Sequence, residues 1–576
     1  MKINKHAKKW LAFLSIIFPP LVTLFFIGHY SINLPYMDHW DGFLNILTAL
    51  KEGSLDFSHL WAQHNEHRLI FPKIIMILLA KLSHWNVLWE QYFSFFMNVG
   101  TLFLIFELSK GFFRSDRSSL YLLFRVSSSI LLFSMVQYEN WAWGWQIQIF
   151  LNIFAVCFTI WIITRYRDRW LGLVLALFSA TVATYSFANG MLIWFVVLGL
   201  IVFSKDSKRT SFVLIWLSVA LIVFLSYIYN YEKPAHHPSL LSFIDNPLNF
   251  FAFFFSYIGA PFGNFFGLTG AICFGILGLC TLFFVIVKAY IYRQRDFFFK
   301  STPWFGLILY ILLSAVVTGI GRSGFSVFQA LYSRYTTFSL IFWISLILII
   351  LLHLQAFGRQ IRPSKPALLA LAFFCLSLII SHSLSYAQGV IAFKKHFSRL
   401  SRIHSLLKYE RFYGIDGKFA TLFPSTPELH NAVGTLRELK MGPFYKGFKK
   451  PSGIYIQGAY FKTAGTKGAH PFSKGGILIL DKDTQVSMNV DIPEAADHEF
   501  SAELEFAPDH GSILIMIDEL AIGKTDCRIF NAKKNYSILK WINYGNIFLS
   551  KGVHIITIKS INAPNMLNAI AIKDSN

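Results

Sequence analysis

Over its first two thirds the chain alternates long apolar runs with short polar connections, and it then changes to short stretches of strict alternation. About eleven runs approach the roughly 20 apolar residues needed to cross a hydrocarbon core of about 30 Å. They fall near 10–30, 90–109, 119–136, 146–164, 170–186, 188–203, 211–230, 266–288, 303–320, 335–355 and 366–386. This pattern predicts a polytopic α-helical bundle. The stretch PKIIMILLAKLSHW, 72–85, is short, opens on Pro72 and carries Lys73 and Lys81. An amphipathic helix lying on the outer surface is expected there rather than a further span.

Residues 390–445 carry charge at helical spacing, with Ser425 or Thr426 placed to cap a helix ahead of Glu428. Beyond residue 450 come GGILILDKD, TQVSMNVDIP, HEFSAELEFAP, GSILIMIDELAIG, NIFLSKGVHIITIKSI and NAIAIKDS. Their period of two, broken by turn residues, predicts a small β-sandwich of jelly-roll type. The expected organisation is a transmembrane catalytic domain at 1–389, a helical connector at 390–449 and a β-sandwich at 450–576. No internal repeat is evident.

Composition agrees with a membrane protein: 55% of residues are hydrophobic, only 14% are charged, and the mean hydropathy is +0.50. The net charge of +21 changes the picture only through its distribution. Basic residues cluster at Lys2 to Lys9, Lys110 to Arg117, Arg165 to Arg169, Lys205 to Arg209, Lys288 to Lys300 and Arg359 to Lys365, all on one alternating set of connections. The opposite set holds only Lys51, Arg68, Lys73, Lys81, Lys233, Arg322 and Arg334 up to residue 386. That asymmetry predicts a cytoplasmic N-terminus, an odd number of spans and an external C-terminal region. It argues against nucleic acid as the partner and for the lipid bilayer. The first apolar run lacks a small-residue cleavage site and is expected to stay as an anchor. Cys157, Cys273, Cys280 and Cys375 fall in predicted spans and Cys527 stands alone, so neither a disulfide framework nor a cysteine metal cluster is expected.

On this topology the unusual polar groups meet on the outer face. Asp38 and Asp41 follow the first run, and their spacing puts both carboxylates on one face of a helical turn. A carboxylate there can take a proton from an attacking hydroxyl or hold a divalent cation against a phosphate; the structural alternative is a solvated cap. His64, Glu66, His67 and Arg68 have neither common zinc-helix spacing and suit a polar cavity wall, with no metal assigned. Glu139, Asn140 and Trp141 lie in YENWAWGWQIQ, where aromatic faces beside amides suit sugar rings, or else form an interfacial belt. Arg322 and Arg334 present guanidinium forks that suit a lipid-linked phosphate, or else snorkel to headgroups.

A first run with its N-terminus inside, an acidic motif opening the first outer loop, surface helices in that loop, about eleven spans and an external tail together resemble the GT-C glycosyltransferases. The resemblance implies a bacterial inner-membrane enzyme with a periplasmic tail. Its donor would be a polyprenyl-phosphate-linked sugar and its acceptor a surface glycan or lipid-linked glycan, in an inverting displacement. It places Asp38, or failing it Asp41, at the catalytic carboxylate, and Arg322 or Arg334 at the phosphate. The chain has Asp-His-Trp-Asp where the common pattern is Asp-Glu or Asp-Asp. The tail resembles carbohydrate-binding β-sandwiches, with KGVHIITIKSI as its final strand type. Two competing classes are an O-antigen ligase or polymerase, which would lean on Arg322 and Arg334, and a lipid-glycan flippase or transporter, which would show repeats and broken helices.

Overall fold

The computed structural model describes residues 5–113, 119–166, 168–203, 207–235, 237–239, 241–357, 365–407, 409, 411–413, 422–445, 453–461, 469–471, 477–529 and 537–574. Lys2, Arg114, Arg117, Arg167, Lys205, Arg359, Arg362, His236 and part of the predicted connector lie outside them. The chain divides into two compact units, one of Met1–Asn33 with Asp41–Ser398, the other of Leu34–Trp40 with Arg399–Asn576.

The first unit is helical. Among the described residues nine helices are long and apolar enough to cross a membrane, and two shorter apolar helices, Trp170–Thr184 and Ala188–Val202, fall on two more of the predicted runs. One large aromatic-rich core unites them, with Trp194, Trp216 and Trp304 fully buried. Several polar side chains in this core are tied to each other or to backbone. Tyr310 donates to Asn152 Oδ1 at 2.7 Å, and Asn152 donates to the carbonyl of Ala183 at 2.9 Å. Trp216 donates to the carbonyl of Trp194 and Trp194 to Thr184 Oγ1, each at 2.9 Å. Such pairing is required where water is absent.

The helix Pro247–Gly259 has no counterpart in the sequence reading. It is too short to register as a crossing, yet it packs along Gly263–Ile291. A Cβ on Gly259 would stand 1.9 Å from the carbonyl oxygen of Ala271, and one on Gly275 would stand 2.0 Å from that of Phe255. Backbones touch only because both residues are glycine.

The surface helix expected near 72–85 runs from Ile70 to Ser83, with Lys81 exposed and Lys73 turned inward. Ile74, Leu78 and Leu82 are exposed while Lys73 is buried. The Lys73 ammonium donates to the carbonyls of His59 at 3.0 Å and Ala62 at 2.7 Å. It thereby satisfies the open C-terminal end of the helix Phe57–Trp61. Burial, reinforced by nearby Arg68, pushes its pKa down to about 8.

The second unit is a β-sandwich with its own core. Its strands, numbered after the hairpin β1 (Gln63–His64) and β2 (His67–Arg68) of the first unit, begin with β3 (Arg411–Tyr413), β4 (Ile454–Gln457), β5 (Ala469–Pro471) and β6 (Leu478–Leu480). There follow β7 (Gln485–Ile492), β8 (Ala496–Phe506), β9 (Ser512–Ile517), β10 (Leu520–Asp526), β11 (Ile538–Leu549), β12 (Gly552–Ile561) and β13 (Asn565–Asp574). One sheet has the order β10-β9-β12-β7; the other runs β11-β8-β13-β4-β3, with β6 on β13 and β5 on β6. Strand β7 alternates exposed and buried residues, and its Val486, Met488, Val490 and Ile492 meet Phe500, Ala502 and Leu504 of the other sheet in a shared core. The six sequence stretches account for β6 to β10, β12 and β13 and the end of β11. Strands β3 to β5 are too short to give a period. The connector helix starts at Thr426 behind N-cap Ser425, with Glu428 in its first turn as expected.

Asp518 and Glu519, both at positive φ (48° and 69°), make the two-residue turn between β9 and β10. The Asp518 carboxylate reaches β12. Its Oδ2 lies 2.6 Å from His554 Nδ1, and its Oδ1 accepts from the Ile555 amide at 2.7 Å. His554 Nε2 lies 2.8 Å from the carbonyl of Ser550. Burial opposes charging of His554, but Asp518 and that carbonyl outweigh it and raise the imidazole above its usual value. A raised folded pKa gives stability that is complete below the unfolded value of 6.5 and is lost as pH rises through the folded value. Hydrogen exchange at the Ile555 amide, corrected for intrinsic rate, is therefore expected to lose protection above pH 6.5. His554→Gln should flatten that dependence, and an unchanged slope would remove the latch.

Candidate active site

The first outer loop predicted from sequence folds into short helices and the β1–β2 hairpin, where Gln63 pairs with Arg68 and His64 with His67. Asn65, at φ 48°, turns the chain. Arg68 holds this hairpin in place. Its guanidinium donates to the carbonyls of Trp61 at 2.8 Å, Tyr227 at 2.9 Å and Tyr229 at 2.5 Å, and it stacks 4.8 Å over the Trp61 ring. Tyr227 Oη in turn donates to the carbonyl of Glu66 at 2.9 Å. Gln63 and Glu232 are joined by two further bonds between side chain and backbone.

The hairpin tip forms one wall of a cavity of about 350 Å³ lined by Glu66, His67, Asn189, Tyr227, Tyr231, Lys233, His237, Thr318, Arg322, Arg334 and Tyr335, with Phe187, Met191, Ile228 and Val317 among its apolar members. These residues come from the ends of four apolar helices and the loops between them, so the cavity lies at one end of the bundle. Among the described residues Glu66 is its only carboxylate. Glu66 is ion-paired to Arg322, and His67 Nε2 and His237 Nε2 each lie 3.6 Å from one of its carboxylate oxygens. Burial favours the neutral acid, but His67 and Arg322 outweigh it and hold the Glu66 carboxyl down to about 2. Burial pushes His67 down to about 4 against the pull of Glu66. At neutral pH, then, Glu66 is ionised and His67 is neutral.

Arg334 stacks on Tyr332 and Tyr335 at 5.1 Å and 5.7 Å and, among the described residues, has no carboxylate partner. Glu66 balances one of the two guanidiniums. The surplus of Arg334, joined by Lys233, makes the cavity a receptor for an anion.

Beside the hairpin, Asp41 and His64 each offer a ligand atom, and these lie within 4.8 Å of one another. Such a pair can pass a proton or contribute two ligands to a divalent cation. Asp41 sits on the short helix His39–Gly42. Asp38 belongs to the segment Leu34–Trp40 of the second unit. There the Tyr36 amide donates to His39 Nδ1 at 3.2 Å, and the Met37 amide donates to the carbonyl of Leu422 at 2.7 Å.

Gly42 is the close contact in this arrangement. A Cβ there would stand 2.4 Å from Trp145 Cη2 and 3.1 Å from His64 Nδ1, whose ring meets that of Trp145 edge-on at 5.0 Å. Gly42→Ala is expected to destabilise the fold by about 1–3 kcal/mol and to shift His64. Thermal unfolding in detergent checks the first effect; wild-type stability would show that Trp145 can move aside.

Of the residues expected from sequence, Glu66, His67, Arg322 and Arg334 share the cavity, and His64 faces Asp41 on the same hairpin. Four others stand elsewhere. Arg68 is a scaffold residue. Trp141 is fully buried between Phe133 and Phe150, and its indole donates to the carbonyl of Ser134 at 3.1 Å. Asn140 is buried against Ser333 and Thr337. Packing and hydrogen bonding thus turn both away from a ligand, and Glu139, whose amide meets Ser333 Oγ at 3.3 Å, is not among the cavity residues. The cavity also takes Asn189 from FANG (187–190) and His237 from EKPAHHP (232–238), residues with no role assigned from sequence. A lone His or Asn in a loop gives no spacing to read.

No family model matches the chain, and no curated protein matches it. Among solved structures, it is similar to the archaeal oligosaccharyltransferase AglB from Archaeoglobus fulgidus, in complex with an inhibitory peptide and a dolichol-phosphate. That match has 12% identity over 78% of this chain and 70% of AglB, with a TM-score of 0.41. The C-terminal CBM6 of LamC from Zobellia galactanivorans matches 21% of this chain over 99% of its own length, with 15% identity and a TM-score of 0.18. A Podospora anserina GH26-CBM35 mannanase matches 22% of this chain, with 9% identity and a TM-score of 0.18, and the chain spans 28% of that enzyme. TM-scores this low carry no argument about fold or function.

Proposed function

We propose that this protein is a membrane glycosyltransferase of GT-C type that moves a sugar from a polyprenyl-phosphate carrier to a glycan or lipid-linked acceptor at the outer face of a bacterial inner membrane. The observation that carries the reading is the hairpin itself. Its tip belongs to a cavity with surplus positive charge, and its first strand faces a carboxylate. A sugar phosphate needs both an anion receptor and a group that takes a proton.

In this scheme the acceptor hydroxyl oxygen attacks the anomeric carbon while the bond from that carbon to the phosphate oxygen breaks. The hydroxyl proton passes to Asp41, with His64 beside it, or to Asp38. The leaving phosphate keeps the bond electrons and is held by Arg334 and Lys233, with Arg322 fixed by Glu66. A divalent cation held by Asp41 and His64 would supply a Lewis acid to the phosphate oxygens. The apolar wall formed by Met191, Ile228 and Val317 suits the first isoprene units of the carrier.

The test is transfer of radiolabelled sugar from polyprenyl phosphate in proteoliposomes that contain the purified chain, with extracted envelope glycans as acceptors. Label in a glycan product supports the reading, and its absence across the available sugar donors overturns it. A ligase or polymerase reading draws on the same two arginines. It would instead give transfer of whole oligosaccharides from a lipid pyrophosphate, and full activity of Asp38→Asn and Asp41→Asn would favour it.

A further inference from the structure

Glu90 is a buried carboxylate with no place in the scheme above. It is 1% exposed and lies in the first turn of the helix Leu88–Ser109, where the exposed amides of a helix start favour negative charge. Two contacts extend from it. Trp85 Nε1 donates to Glu90 Oε1 at 3.2 Å, and the fully buried Trp85 ring packs against Phe43 with centroids 5.7 Å apart. On its other side, a Cβ on Gly144 would stand 2.5 Å from Glu90 Oε2, so the carboxylate is pressed against the backbone that precedes Trp145. Trp145 in turn meets Gly42 and the His64 ring. Both paths end on the turn Asp41–Phe43, one through Trp85 and Phe43, the other through Trp145 and Gly42.

We propose that Glu90 is a positioning residue that fixes Asp41 against His64 through these two tryptophans. An acceptor at Glu90 sets the Trp85 indole, and Trp85 sets Phe43. The glycine contact sets the height of Trp145, which bears on His64 from behind. The inference rests on the proposed function only for its activity readout; the geometry stands without it.

The variants are Glu90→Gln, which keeps an acceptor for Trp85, Glu90→Leu, which removes it at similar volume, and Trp85→Phe, which keeps a ring but deletes the indole donor. The primary readout is carbethoxylation of His64 in the purified full chain, followed by peptide mass spectrometry with half-buried His59, which bonds to Asp56 away from the Glu90 contacts, as internal reference. Glu90→Leu and Trp85→Phe are expected to raise the His64 rate at least about fivefold with His59 unchanged, and Glu90→Gln to restore it. In the transfer assay the same two variants are expected to lower kcat about tenfold, with the donor KM unmoved. If Glu90→Leu does not accumulate, Trp85→Phe decides alone. A wild-type His64 rate in a folded Trp85→Phe or Glu90→Leu protein overturns the proposal, as does a Glu90→Gln variant that behaves like Glu90→Leu. Altered His64 reactivity in a protein that transfers no sugar, wild type included, would sink the glycosyltransferase reading and leave the positioning role in place.

Discussion

Asp41→Asn is expected to lower sugar transfer by about 10²- to 10⁴-fold while the protein accumulates in the membrane at its usual level. Asparagine has nearly the shape of aspartate but cannot take a proton at neutral pH. Asp41 is exposed on the short helix His39–Gly42, and surface changes of this kind are usually worth within about 0.5 kcal/mol of stability. The loss should therefore appear in turnover and not in protein level. His64→Gln removes the partner that lies within 4.8 Å of the carboxylate and is expected to cost less, because the proton acceptor remains. Asp38→Asn belongs in the same experiment. It separates a scheme in which Asp41 alone takes the proton from one that uses both carboxylates. Labelled product normalised to protein in membranes is the measurement, and full transfer in both aspartate variants would end the acid–base assignment.

The arginines should separate by mechanism. Arg334→Gln is expected to raise the apparent KM for the lipid-phosphate donor by about 10- to 100-fold, which corresponds to losing about 1.5–3 kcal/mol of charged hydrogen bonding. No loss of stability should accompany it, since Arg334 rests on tyrosine rings and no carboxylate depends on it among the described residues. Arg322→Gln differs, because it leaves the largely enclosed Glu66 without its ion-pair partner. It should destabilise the fold by about 3 kcal/mol as well as weaken donor binding. Replacing Glu66 by Gln in the same protein should recover the stability and not the binding. Donor titration and thermal unfolding, run on the four proteins, test both halves. Equal stability losses for the two single arginine variants would contradict the division of labour.

Basic residues on the alternate connections predicted the side of the membrane and polar islands between apolar runs marked candidate sites, whereas the glycosyltransferase reading and its donor were what the resemblance to the GT-C enzymes implied. Four of those islands do meet in three dimensions. HNEHR, FANG, EKPAHHP and the segment from Arg322 to Thr337 each contribute to the cavity. What alternation along the chain could not say is which member of an island points inward. Within HNEHR two adjacent side chains part company: His67 faces the cavity, whereas Arg68 is consumed by three carbonyls. In YENWAWGWQIQ the most sugar-like residues, Asn140 and Trp141, are core.

The sequence by itself determined the class of the long elements. Apolar runs near the length of a membrane crossing can bury their backbone only as helices, and period-two stretches between turns bury one face only as strands. It could not determine contacts between residues hundreds of positions apart. Tertiary structure alone decided that Glu66 would pair with Arg322 and that Arg334, among the described residues, would have no carboxylate partner. It also decided that a lysine would cap a helix from the buried side of a surface element, and that a 13-residue helix would lie along its neighbour through two glycines. Charge pairing and close approach depend on distance in space, and an apolar or polar pattern along one chain carries none.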